Sequence, residues 1–123
     1  MSRNWKQLQS IAQIEVETTL AALPAPIRKQ AAPLPVSYEA KPQKQPDDAD
    51  YDPDLLGLFV GASLPFPEES PLPPQIILYL ENLWEFAERH EDIFRDEVRT
   101  TYLHELGHYL GLDEIDLAER GLE

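Results

Sequence analysis

All twelve prolines of the 123-residue chain lie between Pro24 and Pro74. Proline lacks a backbone donor and clashes with the preceding helical turn. Long helices are therefore confined to the two ends, and the middle must be loops, short strands and single helical turns. At the N-terminal end, Trp5, Leu8, Ile11, Ala12 and Val16 recur at steps of three and four, with Leu20 four further on. This spacing predicts a helix over Asn4 to Ala22, ended by Pro24. Trp5 is expected to anchor it in the core, as Trp84 is for a later helix. At the other end, Ile93, Phe94, Val98, Tyr102 and Leu106 form the stripe of a helix from about Asp92 to Leu110, flanked by Leu103 and Leu110. Ile115, Leu117 and Ala118 suggest one more short helix.

Between the ends, a helical turn is expected over Pro26 to Ala31, where proline suits a first helical position. Leu34 to Ala40 alternates as a strand whose proline places it near a sheet edge. Gly57 to Gly61 and Ile76 to Leu80 read as further strands, and a helix begins near Glu81. Lys41 to Asp54 and Ser63 to Pro74 read as loops. The sum is an α+β domain: a small mixed sheet against a long C-terminal helix, with an N-terminal helix beside it. One domain over 1–123 is expected, with an N-terminal helix and extended segment over 1–50 and a core over 51–123.

Charge and cysteine content narrow the function. The net charge is −13. It is split between a mildly basic stretch, Met1 to Pro46, at +3 and an acidic remainder, Asp47 to Glu123, at −16. Such a balance argues against nucleic-acid phosphate and anionic membranes as partners. No apolar run reaches the roughly 18 residues of a membrane span. The N-terminus lacks an apolar signal core, so a soluble cytoplasmic protein is expected. With no cysteine there is neither a disulfide framework nor a thiolate zinc site.

The chemistry is concentrated in His104-Glu105-Leu106-Gly107-His108-Tyr109-Leu110-Gly111-Leu112-Asp113-Glu114. Two histidines four residues apart sit about 6 Å apart on one helical face and can bind one metal ion. Glu105 shares much of that face and can act as general base on a metal-activated water. Gly111 can take positive φ, end the helix and turn the chain back. A third ligand is then expected close behind it, at Glu114 or alternatively Asp113. Two histidines and a carboxylate suit zinc, and iron and manganese remain open. At average residue frequencies a bare His-Glu-x-x-His arises in roughly one chain of this length per few hundred, and the added glycine and acid make chance far rarer. Tyr102 and Tyr109 read as packing, His90 as a surface or capping group, and Arg99 as a solvated or bracing cation.

His104 to Glu114 resembles the zincin motif His-Glu-x-x-His-x-x-Gly-x-x-(His or Asp). The match widens over Asp52-Pro53-Asp54-Leu55-Leu56-Gly57-Leu58-Phe59-Val60-Gly61, then Pro74 to Tyr79, then Glu97-Val98-Arg99. In that order, these pieces resemble the zincin-like metallopeptidase family of short bacterial proteins, also described as minimal or minigluzincin-like. The resemblance implies a compact zincin core, a zinc ion at the motif helix and hydrolysis of peptide or unfolded-protein substrates. It implies Glu105 as catalytic base and His104, His108 and Glu114 as metal ligands. Zincins bind extended substrate along a sheet edge, which Gly57 to Gly61 or Ile76 to Leu80 would supply. The only methionine is Met1, which excludes the metzincin methionine turn, and the gluzincin alternative of a downstream glutamate ligand would fall on Glu119. The alternative function is a zinc-bearing but inactive peptide- or protein-binding module.

Overall fold

A computed structural model describes residues 4–44 and 51–112. Asp113, Glu114, Glu119 and the expected helix around Ile115, Leu117 and Ala118 lie outside the described residues. Helix α1 spans Trp5–Ala21 and opens on a capping box, in which Asn4 accepts from the Gln7 amide and the Gln7 side chain accepts in return from the Asn4 amide. Its inward stripe is Leu8, Ala12, Val16 and Thr19. Trp5 does not anchor the core: it is 38% exposed, because it sits in the first turn, beyond the end of that stripe. The short α2 (Ala25–Ala31) follows, with proline in its first turn as expected.

Three strands form one sheet: β1 (Val36–Glu39), β2 (Gly57–Val60) and β3 (Gln75–Tyr79). The spatial order is β1-β3-β2, with β1 parallel and β2 antiparallel to β3. The proline-flanked β1 is an edge strand, as its composition implies. The glycine-bounded β2 is the other edge, and the strongly apolar β3 is central. Val36 and Tyr38 of β1, Ile76 and Leu78 of β3, and Gly57 and Phe59 of β2 occupy matching registers and share one face. That face meets the helices.

Leu80 belongs to helix α3 (Leu80–Phe86) rather than to the strand. Helix α4 (Glu91–Leu110) then crosses the sheet. Phe94, Val98, Tyr102 and Leu106 are sealed in the core, and Trp84 stacks edge-on against Phe94 with ring centroids 5.5 Å apart. Ile93 falls outside the stripe. One position before Phe94, it is rotated about 100° around the helix and is 44% exposed.

Two close fits tie the sheet to the segment that carries the motif. A Cβ on Gly57 would stand 2.6 Å from Thr101 Cγ2, so the glycine lets β2 lie directly against α4. The Asn82 side-chain amide donates to the carbonyls of Pro53 (2.7 Å) and Leu55 (2.9 Å), which pins the segment leading into β2 onto α3.

Replacing Gly57 with Val should wedge β2 from α4 and cost about 1–3 kcal/mol. Urea unfolding measures this, and an unchanged midpoint would show that the contact is slack. A second test uses pH. Burial pushes the Tyr102 phenol up to about 12. The folded state disfavours phenolate, so the unfolded chain ionises first, near pH 10. Stability from this group is full below about pH 10 and drains as pH rises toward 12. The urea midpoint should fall across that window, and less so in Tyr102→Phe.

Candidate metal centre

The C-terminal half of α4 has two unlike faces. Tyr102, Leu103, Leu106 and Tyr109 point into the core, and this fixes the rotation of the helix. His104, Glu105 and His108 are consequently turned outward, with Glu105 half-buried and His108 exposed. The two imidazole Nε2 atoms lie 3.2 Å apart, with the rings nearly perpendicular at 83°. In the neutral pair one Nε2–H donates to the other Nε2, according to tautomer. Two nitrogens bound to one tetrahedral ion at 2.0–2.1 Å stand about 3.3–3.4 Å apart. The observed spacing therefore fits two zinc ligands with little adjustment. One donor atom from each of His104, Glu105 and His108 lies within 4.8 Å of the others. Among the described residues this is the group of three that could hold a metal ion.

Helix α4 ends two residues after His108. Gly111 has φ of 74°, and the Leu112 amide donates back to the Gly107 carbonyl at 2.9 Å. This is the left-handed cap that glycine makes possible, as the sequence implies. The loop after β2 packs on the same end. The Leu64 amide donates to the Tyr109 carbonyl at 2.6 Å, and a Cβ on Gly111 would meet the Pro65 ring at 2.7 Å.

Strand β2 runs beside the motif. Gly57 abuts Thr101, one turn before His104, and the Phe59 ring lies 5.7 Å from that of Tyr109, just after His108. The Tyr79 amide donates to the Leu56 carbonyl at 3.0 Å. Antiparallel bonding alternates along a ladder. Leu58 and Val60 therefore share bonds with Ile77 and Gln75, and the backbone groups of Gly57 and Phe59 face away from β3, toward the outer edge of the sheet. Two clefts meet at Glu105. One, of about 410 Å³, carries Asp52, Asp54, Glu97, Thr101 and His104. The other, of about 440 Å³, carries Leu58, Ala62, Glu69, Ser70 and His108. A larger cavity of about 600 Å³ lies between α1 and α2, lined by Glu17, Leu20, Ala21, Ala25 and Arg28 and by none of the motif residues.

The outlying sequence readings resolve simply. Tyr102 and Tyr109 are packing residues, 1% and 8% exposed. His90 stands at the N-cap of α4 but makes no side-chain cap bond. Arg99 is exposed and makes no ion pair among the described residues. The sequence reading did not single out Thr101 as part of the site. Its signal was present: Glu97, Thr101, His104 and His108 follow at steps of four, three and four, and so share one helical stripe.

A search of curated proteins finds no match. A family model described as zincin-like metallopeptidase matches residues 31–122, spanning β1 to the end of the motif helix and beyond. The chain therefore belongs to the zincin-like metallopeptidase family.

Proposed function

We propose that this protein is a zinc-dependent peptidase that hydrolyses extended peptide segments laid along the β2 edge. The observation that carries the reading is the convergence of the His104 and His108 Nε2 atoms at 3.2 Å, beside Glu105 and a strand edge that is unpaired among the described residues. His104 and His108 would hold zinc. The chain reversal at Gly111 supports a third ligand shortly beyond it, at Glu114, with Asp113 as the alternative. A bound zinc ion supplies Lewis acidity, polarising the scissile carbonyl and lowering the pKa of attacking water toward about 7.

The chain's own groups do the rest. The free N–H and C=O groups of Gly57 and Phe59 can pair with a peptide as an added strand and fix its register. Glu105 sits where the two clefts meet, so a carbonyl held on the β2 edge beside the histidines lies within its reach. Its carboxylate takes the proton of the attacking water and later delivers it to the departing amine.

Glu105→Gln should retain zinc and lose cleavage of an unfolded protein or unstructured peptide by about 10²-fold or more. Equal turnover by wild type and variant would remove Glu105 from the mechanism. His108→Ala should lose tight zinc binding, read by titration against a chromogenic chelator, and unchanged affinity would remove it from the ligand set. Acidification should release zinc, because imidazole ligands must be neutral. A cleavage rate that climbs steadily down to pH 4 would contradict a histidine-held metal.

A further inference from the structure

The cleft on the His104 side of Glu105 is built from one kind of charge. Asp52, Asp54 and Glu97 line it, and among the described residues neither lysine nor arginine does. Among the described residues these carboxylates do not form a second group of three metal donors. Among the described residues, only His104, Glu105 and His108 bring three donor atoms close enough for an ion. The acidic groups are instead spread along the cleft wall, on two separate elements.

A second observation is independent of the charge. Thr101 is 8% exposed and lines this cleft. Its hydroxyl has no hydrogen-bond partner among the described residues. It is also not one of the sealed, unpartnered polar atoms, which are Thr19 Oγ1 and Trp84 Nε1. On a residue that lines the cleft, this oxygen is available to accept a hydrogen bond from an incoming donor. The wall is also held in place. Asn82 clamps the carbonyls on either side of Asp54, and the Asp54 amide donates to the Asp52 carboxylate at 2.9 Å.

We infer that this cleft is a subsite for a cationic side chain, lysine or arginine, of the bound peptide. The cation would sit between Glu97 on α4 and Asp54 on the segment before β2, with the Thr101 hydroxyl as an additional acceptor. The inference rests on the peptidase reading for the path of the peptide, but the charge selection itself can be measured without turnover.

The test uses capped, unstructured peptides identical except for one position, which is Lys, Gln or Glu, and zinc-loaded Glu105→Gln protein. Fluorescence anisotropy should show the Lys peptide binding about tenfold more tightly than the Glu peptide, with the ratio shrinking as salt rises. Adding Glu97→Lys should reverse the order. Adding Glu15→Lys on α1, the same change in net charge away from the cleft, should leave the order intact. Equal binding of the three peptides, or an order that Glu15→Lys alters as much as Glu97→Lys, would overturn the subsite. Cleavage of the same peptides by zinc-loaded wild type is scored separately by mass spectrometry. A Glu97-dependent preference without cleavage would keep the subsite and sink the peptidase reading. Cleavage with no preference for a cation would do the reverse.

Discussion

The buried face of α4 is the constraint on which the site depends. Phe94, Val98, Tyr102 and Leu106 follow one another at four-residue steps and are sealed against the sheet and the N-terminal helix. Burying four such side chains contributes several kcal/mol, each on the order of 1.5–3. Any rotation of the helix would forfeit much of that. With the inner face fixed, the direction of every other residue follows at about 100° per position. His104 and His108 therefore face outward because Tyr102 and Leu106 face inward. The histidine pair needs no scaffold of its own, since the core packing supplies the orientation.

The second dependency is the closeness of β2. An edge strand beside a helix leaves room for a groove only if the strand lies near the helix face without covering it. Gly57 brings the backbone to van der Waals range of Thr101, and Phe59 fastens the far end on Tyr109. Between these anchors the outer backbone groups of β2 have no strand partner among the described residues. The loop that follows is fastened by Leu64 to the last turn of the same helix. Strand, loop and helix thus form one body around Glu105. A substrate docked on this edge would meet a preformed surface, which reduces the ordering cost of binding.

Local features of this arrangement were legible in the sequence, and contacts between distant segments were not. The helices and strands follow from three-four spacing, alternation and proline, each a property of neighbouring residues. The histidine pair and the glycine cap are likewise local, so their geometry could be anticipated. The exposure of Trp5 and Ile93 could not. Both are apolar residues at helix beginnings, and whether a first turn meets the core depends on where other elements end. The role of Gly57 depended on Thr101, forty-four positions away. The strand order was also hidden. An edge position for β1 follows from its proline, but nothing local says that β2 rather than β3 is the other edge.

The helix also limits how far recognition can lie from chemistry. Glu97 and Glu105 are both on α4, eight residues apart, so about 12 Å separates them along the axis. An extended peptide advances about 3.3 Å per residue. A lysine or arginine side chain adds a flexible stem of several bonds to that reach. A cation bound at Glu97 would therefore belong to a residue within about one to three positions of a scissile bond held beside Glu105. At larger separations the peptide would carry the charge past the end of β2 and out of the cleft. Because both groups sit on one rigid helix whose rotation the core fixes, this spacing does not depend on loop motion. The selectivity inferred here would then act close to the scissile bond, where binding energy is best coupled to the reacting geometry.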